Sequence, residues 1–434
     1  EVFRGPQGSR TGANALAGLI YIKTKDPTDQ FEGLSEITIG DYGTQNLGIA
    51  FGGPTKNKKV KYRLVVRNDY ADGFRKNIFL NQSDTSQKDE LTIRYKLNWD
   101  ISETTDVNFL FSRVDMDDPA DIWTIDGSLN TLSDRPGMDS QETDSFGIKL
   151  LKHFDHFDLQ SFTSITKTDV IFSYDADWGN PESHFPYIYD YFSETFRKRD
   201  TFSQEIRFLS KNINFSKENP FEWIFGFHLS ELEEINLTKD DGIYGDPSDP
   251  FGPYISETII LRNYEAENFS LFGNIDYFLA DNLKLAFGLR WENWNSKYND
   301  SNKESFNPSD NMNGGKMSLI KYIDKSNIYF SIARGYKQGG FNLGLDATDN
   351  SIRDSLIFDP EFLTNYEIGL TSNSNNSNIN YSAVLFYSKR EDQQVLISKQ
   401  VDPTDPNTFS YLTQNAAEGE NFGLELSSNY FVSD

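Results

Sequence analysis

Few side chains in this 434-residue sequence have the type and spacing needed for catalysis or metal binding. His153 and His156 have two residues between them, but they fall at a predicted tight turn with no third ligand nearby. No G-x-S-x-G, H-E-x-x-H or P-loop motif occurs. Two aspartate groups lack the ligand order of a calcium loop: Asp115, Asp117 and Asp118, and Asp240, Asp241, Asp246 and Asp249. We therefore expect no catalytic residues, no metal and no cofactor, and we predict that the protein is not an enzyme.

The composition narrows the classes of protein to which this chain can belong. Its formal net charge is −25, which argues against a surface that neutralises nucleic-acid phosphates. Cysteine is absent, which excludes disulfides, cysteine-ligated zinc and iron–sulfur clusters. Hydrophobic residues make up 37% and the mean hydropathy is −0.59. No apolar run approaches the roughly 18 residues of a membrane-spanning helix.

Aromatic residues nevertheless make up 15% of the chain, a high proportion for so polar a sequence. Transmembrane β-barrels combine both properties, because their strands alternate apolar and polar residues and carry aromatic girdles at the membrane interfaces. Segments 91–99 and 283–291 alternate in this way, with Arg94, Lys96 and Arg290 among the polar residues. A period of two places the two sets on opposite faces of a sheet. Full charges on one face suit a water-filled interior.

The connections between the predicted strands alternate in length. Short turns on one side and long loops on the other are the plan of an outer-membrane barrel, whereas a soluble β-sandwich shares only the alternation of residues. Short connections are predicted at 54–58, 102–105, 155–156, 280–282, 324–326 and 373–377. Longer polar connections are predicted at 72–88, 115–141, 175–195, 238–261, 342–360 and 398–414.

About fifteen strands are predicted, whereas single-chain bacterial barrels have even numbers and plugged transporter barrels have about 22. Because a free sheet edge is not viable in lipid, we expect further strands beyond Asp434.

Trp99 and Trp223 lie beside predicted short turns, and Trp291 and Trp294 lie toward the other end of their strand. This arrangement predicts tryptophans at both membrane interfaces.

The first residues read EVFRGPQGSRTGANALAGLIYIKTKDP, and they resemble the end of the plug domain of TonB-dependent outer-membrane receptors. In that family, E-V-x-R-G-P-Q-G is followed by G-x-N-A-x-x-G-x-I-x-I-x-T-K. The matching residues to which we assign a structural or gating role are Arg4, Gly5, Pro6, Gln7, Gly8, Gly12, Asn14 and Gly18. Glycine and proline favour tight turns. The resemblance implies that polar contacts, such as an arginine fork on carboxylates, hold the plug to the barrel wall.

Later segments resemble the barrel of the same family, in the family's order. They are NFSLFGNIDYFL (268–279) with NLKLAFGLRW (282–291), IYFSIARGYKQGGFN (328–342), FDPEFLTNYEIGL (358–370) and NAAEGENFGLEL (415–426). The resemblance covers nearly the whole chain. It implies an all-β protein, a transmembrane antiparallel β-barrel with about fifteen of about 22 strands. Residues 1–30 would be the C-terminal end of a plug domain, and residues 31–434 an incomplete barrel.

The resemblance also implies a function, which belongs to the full-length protein: active, high-affinity uptake of a scarce nutrient across the outer membrane of a Gram-negative bacterium. Implied partners are the TonB complex, through a part that precedes Glu1, the outer-membrane lipid and the nutrient. Ferric siderophores are the commonest cargo of the family, with cobalamin, haem, nickel complexes and oligosaccharides as alternatives. One alternative is a passive porin or adhesin barrel, and the plug-like motif argues against it. The other is a secreted all-β binding module or carbohydrate enzyme, which recovery in a soluble fraction without detergent would favour.

Ligand contacts are expected from the long loops. The candidates are aromatic side chains: Trp123, Trp178, His184, Tyr187, Tyr189, Tyr244 and Tyr254. Each could instead pack its own loop. Acidic loops mildly disfavour an anionic ligand, through a repulsion that salt would screen.

Overall fold

The computed structural model describes residues 1–211, 221–343, 356–372, 379–400 and 409–430. All regular elements in these ranges are strands, and no described helix is long and apolar enough to cross a membrane. In chain order the strands are β1 (Val2–Arg4), β2 (Gly18–Ile20), β3 (Glu32–Ile39), β4 (Gln45–Pro54), β5 (Val60–Ala71), β6 (Lys76–Asn77), β7 (Lys88–Ser102), β8 (Thr105–Pro119), β9 (Asn130–Thr131), β10 (Met138–His153), β11 (Phe157–Asp175), β12 (Ile188–Ser210), β13 (Phe221–Gly245), β14 (Tyr254–Ala280), β15 (Leu283–Asp300), β16 (Ser305–Phe306), β17 (Ser309–Ile323), β18 (Ser326–Lys337), β19 (Gly340–Phe341), β20 (Ile357–Phe358), β21 (Glu361–Ser372), β22 (Ile379–Gln400) and β23 (Phe409–Tyr430).

Sixteen of these strands, with the short β16, form an antiparallel barrel. Their order follows the chain: β3 to β5, β7, β8, β10 to β15, β17, β18 and β21 to β23, with β23 next to β3. In the described part, a residue-by-residue register joins fifteen neighbouring pairs, from β3–β4 round to β22–β23. The predicted antiparallel barrel is confirmed, with sixteen strands here instead of about fifteen. The expected total of about 22 stays a prediction.

Alternation along β15 distinguishes the two faces of the barrel. Leu289 is 57% and Trp291 37% exposed, whereas Arg290 and Glu292 are each 3% exposed. Successive side chains of a strand point to opposite faces. The outer face is therefore apolar, and the inner face is buried and partly charged.

Trp294 belongs to the inner face of β15. It packs with Met312 and Tyr336 in a buried cluster. The prediction that Trp294 is an interface tryptophan is wrong, because it lies three positions along the strand from the outward-facing Trp291, and an odd offset places it on the other face. Trp99, beside a short turn, is exposed as an interface residue would be.

Five of the six predicted short connections join paired neighbours: β4–β5, β7–β8, β10–β11, β14–β15 and β17–β18. The sixth, 373–377, lies outside the described residues, as do parts of 342–360 and 398–414. The predicted loop at 238–261 is wrong, because β13 and β14 stay paired up to Tyr244 and Tyr254. Beyond the apolar band a strand needs no apolar face, so its polar composition resembles that of a loop.

Several strands are much longer than a membrane requires. β14 has 27 residues, roughly 90 Å of extended chain, whereas about 9–11 residues span a bilayer. On the outer face, Lys167 lies 3.0 Å from Asp200 and Lys198 lies 3.3 Å from Asp169. These ion pairs lie beyond the apolar band, toward the ends that carry the long loops.

We predict opposite tolerance to charge at two adjacent residues of β22. Leu385 faces outward between Tyr381 and Tyr387, whereas Val384 faces inward opposite Glu425. A lysine on a lipid-facing wall costs about 2–4 kcal/mol at the bilayer midplane, so Leu385→Lys should lower the free energy of unfolding by that amount. Val384→Lys should cost much less. Guanidinium titration in lipid vesicles measures both, and equal losses would contradict the assignment of faces.

Candidate functional site

Four polar residues form a closed hydrogen-bonded group on the inner face, which we call the inner-wall cluster: Asn268, Arg290, Glu292 and Tyr336. Arg290 Nη2 lies 2.5 Å from Glu292 Oε2, and its Nε donates to Tyr336 Oη at 2.9 Å. Tyr336 Oη donates to Glu292 at 2.8 Å, and Asn268 Nδ2 donates at 2.6 Å. Residues two apart on a strand share a face. β15 therefore presents both charges together, and mutual hydrogen bonds offset their desolvation.

The inner-wall cluster binds the N-terminal segment, residues 1–31. Arg290 Nη1 donates to the carbonyl oxygens of Gly8 at 3.4 Å and Thr11 at 3.1 Å. Asn14 Nδ2 donates to the Tyr336 carbonyl oxygen at 2.5 Å. A Cβ at Gly8 would lie 3.3 Å from the Arg290 side chain, and its φ of +154° is rare for other residues. Glycine here permits the close approach of backbone to guanidinium.

Two further strands hold the same segment. Arg10 Nη2 lies 2.7 Å from the carboxylate of Asp276 on β14. The Gly12 amide donates to Glu205 Oε2 on β12 at 2.9 Å, where a Cβ at Gly12 would collide with that carboxylate. Both carboxylates are buried. Each is neutralised or hydrogen-bonded by the N-terminal segment, which makes the contact specific.

The N-terminal segment contacts opposite sides of the barrel. Arg4 forms an ion pair with Glu425 on β23, and Pro6 lies against Gly335 on β18. Glu205, which binds the Gly12 amide, lies on β12, opposite β23 in the ring of sixteen strands. Farther along the segment, Lys96 Nζ of β7 donates to the Thr24 carbonyl at 2.8 Å and to Asp26 at 2.9 Å. The segment thus crosses the interior between β23 and β12.

The remaining residues of the predicted motif shape the segment itself. Gly5 has φ +70°, and a Cβ there would meet Asn365 on the barrel wall at 3.0 Å. Gln7 and Ala15 exchange backbone hydrogen bonds at 3.0 and 2.9 Å, and Gly18 pairs with Arg4 in the β1–β2 hairpin. All eight motif residues therefore lie in this segment, either folding it or touching the wall. Their gating role, and the division into plug and barrel at residue 30, stay predictions.

The predicted ligand-contact aromatics only partly converge. His184 lies 5.2 Å from Tyr189, and Tyr189 lies 5.1 Å from Tyr191 and 6.4 Å from Tyr244, between ring centroids. Tyr254 stands opposite Tyr244 across β13 and β14. His184 Nε2 also lies 3.2 Å from the Asp177 carbonyl oxygen, so part of its role is to pack the loop.

The other candidates lie apart from this group. Trp123 packs against Tyr174 at 5.3 Å between ring centroids. Trp178 and Tyr187 are exposed on the loop that joins β11 to β12. Their contact with a ligand stays a prediction.

Three long loops are joined by buried polar residues, which we call the loop network: Asn77, Asp121, Thr131, Ser133, Asp175 and Asp177. Asp121 accepts from Asn77 Nδ2 at 3.0 Å and from Thr131 Oγ1 at 2.6 Å. Ser133 Oγ donates to Asp175 at 2.5 Å, and the Tyr191 amide donates to Asp177 at 2.8 Å. Burial, and then the charge of Asp177, raise the pKa of Asp175 to about 7. The three loops at this end of the barrel are therefore packed together as one folded layer.

The residues considered for metal binding have other roles here. His153 Nδ1 lies 2.8 Å from Asp158, Asp240 lies within β13, and Asp246 accepts from the Ser248 amide in a turn. Throughout the described ranges no group of three or more His, Asp or Glu residues is arranged to hold a metal ion. That the full-length protein binds no metal of its own stays a prediction.

Sequence reasoning missed most of the barrel's side of this site. The sequence alone does not single out Glu205, Asp276 and Tyr336, and it marks Arg290 only as one of the full charges on the polar face of a strand. One signal was available, because Arg290 and Glu292 are opposite charges two residues apart on the polar face of a strongly alternating segment. Such a pair on an interior face is a candidate for a buried contact.

Comparison with known proteins identifies the family. Residues 23–433 match the model described as TonB dependent receptor-like, beta-barrel. The chain belongs to the TonB-dependent receptor family. One protein of similar structure, FauA from Bordetella pertussis, is the alcaligin outer-membrane receptor, with a TM-score of 0.63 at 16% identity and with 100% of this chain and 64% of FauA covered.

Two relatives are pesticin receptors. That of Yersinia enterocolitica is 22% identical over 456 residues, covering 99% of this chain and 60% of the receptor. That of Yersinia pestis is 21% identical with the same coverage. The chain therefore spans 60% of the length of these relatives.

Solved structures agree on the fold. The ferric yersiniabactin uptake receptor FyuA from Yersinia pestis has a TM-score of 0.74 at 17% identity, with 100% of this chain and 63% of FyuA covered. The siderophore receptor PiuA from Acinetobacter baumannii has a TM-score of 0.72 at 16% identity, with 100% of this chain and 66% of PiuA covered.

We predict that Arg290→Met releases the N-terminal segment. The substitution leaves the buried charge of Glu292 without its partner. Removing one partner of a buried ion pair costs about 3–5 kcal/mol. Amides of residues 8–14 should then exchange hydrogen faster. Lys297→Met, on the outer face of the same strand, is the matched control. Unchanged exchange at 8–14 in Arg290→Met would contradict the role of the inner-wall cluster.

We predict that the loop network loosens as the pH rises from about 4 to 7. Folding raises the pKa of this carboxyl. The stability that such a group contributes is complete below its pKa in the unfolded chain and is lost as the pH rises through its pKa in the folded protein. The loss is at most about 1.4 kcal/mol per pH unit. Hydrogen exchange in residues 121–135, corrected for the intrinsic rate, measures it. Asp175→Asn should abolish the dependence, whereas Asp41→Asn, in a distant exposed loop, should keep it.

Proposed function

We propose that the full-length protein is an outer-membrane receptor that takes up a scarce nutrient with energy from the TonB complex, and that this nutrient is a ferric siderophore. The observation that carries the proposal is the N-terminal segment bound across the barrel interior, from Glu425 on β23 to Glu205 on the opposite strand β12. A passive pore needs an open interior. A gated receptor needs an obstruction that is held specifically and can be displaced.

The contacts of the N-terminal segment suit reversible displacement. They are polar, and some are neutral contacts that end on a backbone carbonyl, as does that of Asn14 on Tyr336. Water entering the interior can replace such partners, so the net cost of opening each neutral contact is about 0.5–1.5 kcal/mol. The charged pairs, above all Arg10 with Asp276, hold the segment more strongly. A mechanical pull can therefore break the contacts one after another.

The choice of cargo is supported by proteins of similar structure. FyuA is an uptake receptor for ferric yersiniabactin, FauA of Bordetella pertussis is an alcaligin receptor and PiuA is a siderophore receptor. OprC, with a TM-score of 0.70 at 14% identity, is a copper transporter. The same fold thus serves several ligands. The proposal includes no chemical reaction, since the cargo would be bound and released unchanged.

The test is uptake by whole cells that express the full-length protein. Radioactive iron is supplied on catecholate, phenolate and hydroxamate siderophores, and labelled cobalamin is supplied separately, with and without a working TonB. We expect uptake of at least one ferric siderophore that falls to background without TonB. Cells carrying a correctly inserted Arg10→Ala, Glu205→Ala variant, which loosens the N-terminal segment, should admit more small solutes than the wild type.

The outcomes separate the parts of the proposal. Uptake of cobalamin alone, dependent on TonB, would keep the receptor and overturn the siderophore. If uptake of a solute did not depend on TonB, the protein would be a passive pore and the central claim would be overturned.

A further inference from the structure

The N-terminal segment covers a histidine on the barrel wall. His228 lies on β13, and Glu205 on β12 stands directly opposite it in the register. Gly12 lies over both side chains, because a Cβ there would collide with the Glu205 carboxylate and would lie 2.6 Å from His228 Cδ2. The Gly12 amide donates to Glu205 Oε2 at 2.9 Å. One residue of the segment therefore closes the wall over a carboxylate and an imidazole together.

The imidazole of His228 has few hydrogen-bond partners beneath this cover. Its Nε2 lies 3.4 Å from Ser203 Oγ on β12. Its Nδ1 is buried and has no hydrogen-bond partner among the described residues, and the same is true of Oγ of Ser270. Ser270 stands opposite His228 on β14 and is 0% exposed. A neutral imidazole has one donor and one acceptor, whereas a protonated imidazole has two donors. These surroundings therefore suit the neutral ring.

The charged groups around His228 offer no free counter-ion. Two are positive and two are negative: Glu205 and Arg207 on β12, and Arg290 and Glu292 on β15. Glu205 forms an ion pair with Arg207 and accepts from the Gly12 amide. Glu292 is already engaged within the inner-wall cluster. A positive charge on His228 would therefore be buried without a carboxylate of its own, which is costly.

Displacement of the N-terminal segment changes both conditions. Without Gly12 above it, the His228 ring is open to water in the barrel interior. The Gly12 amide also leaves Glu205, whose carboxylate can then pair with a protonated ring across the β12–β13 register. The imidazole therefore takes up a proton more readily when the segment is displaced than when it is bound. By linkage, the state that binds the proton more readily is favoured as the pH falls.

We propose that His228 and Glu205 form a proton-sensitive latch, which holds the N-terminal segment while the ring is neutral and releases it more readily when the ring is protonated. The proposal rests on the function proposed above, in which this segment is displaced, and it adds the proton as an effector of that displacement. Histidine ordinarily changes its charge between about pH 5 and 8. One proton can change the equilibrium by up to about tenfold per pH unit.

The test is hydrogen exchange of the full-length protein in lipid vesicles, with rates corrected for their intrinsic dependence on pH. The amides of residues 11–14 report the contact. We expect their protection to fall as the pH is lowered from about 8 to 5, by about three- to tenfold per pH unit where the change is steepest. Protection of the β4–β5 ladder should stay constant, which separates release of the segment from unfolding of the barrel. The loop network should change in the opposite direction.

Substitutions identify the group that takes up the proton. His228→Gln keeps a side chain that can form hydrogen bonds but cannot be protonated in this range, so protection at residues 11–14 should become independent of pH. His156→Gln, at an exposed short turn, is the matched control and should keep the dependence of the wild type. His228→Asn replaces His228→Gln if that variant fails to fold.

The proposal is overturned if protection at residues 11–14 of the wild type is independent of pH, if it rises as the pH falls, or if His228→Gln keeps the dependence. Any of these results, together with uptake that still requires TonB, would remove the latch and keep the receptor. A lack of TonB-dependent uptake of any cargo would overturn the proposed function, whereas the exchange measurement would still decide whether His228 controls the contact.

Discussion

The structure depends on the backbone ladder that joins each barrel strand to its neighbours. In an apolar environment an unpaired N–H or C=O group costs several kcal/mol, so the strands must pair along their length. Pairing fixes the register, and the register fixes which side chains face the interior. Arg290 and Glu292 face inward together because Leu289 and Trp291 face outward. A slip by one residue would expose the charges to the outer face and bury the apolar residues.

Once the faces are fixed, the interior can hold charges that a smaller protein could not bury. Arg290 and Glu292 neutralise each other, and Tyr336 and Asn268 use the remaining hydrogen-bonding capacity of the carboxylate. The N-terminal segment then supplies mainly backbone atoms to this wall. That explains why its motif is rich in glycine: Gly8 and Gly12 bring the main chain to a guanidinium and to a carboxylate.

The sequence was sufficient to predict the class of fold and the N-terminal motif, because alternation, turn length and motif residues are local. It was not sufficient for the contacts of the motif, since Glu205 and Tyr336 are distant in sequence from Gly12 and Asn14. It also placed the end of β13 too early, because strands beyond the apolar band have the composition of loops. The candidate aromatic residues were those of the loops, whereas Tyr336 of the inner-wall cluster lies within a strand, where only the parity of the register reveals that it faces inward.

The unequal lengths of the strands give the barrel a slanted rim. β3 and β4 have 8 and 10 residues, whereas β13 and β14 have 25 and 27. The difference between β3 and β14 is roughly 60 Å of extended chain. The wall of the barrel is therefore low at β3 and β4 and tall at β13 and β14. A solute that approaches over the low side meets the inner face of the tall side without first passing over the ends of its strands.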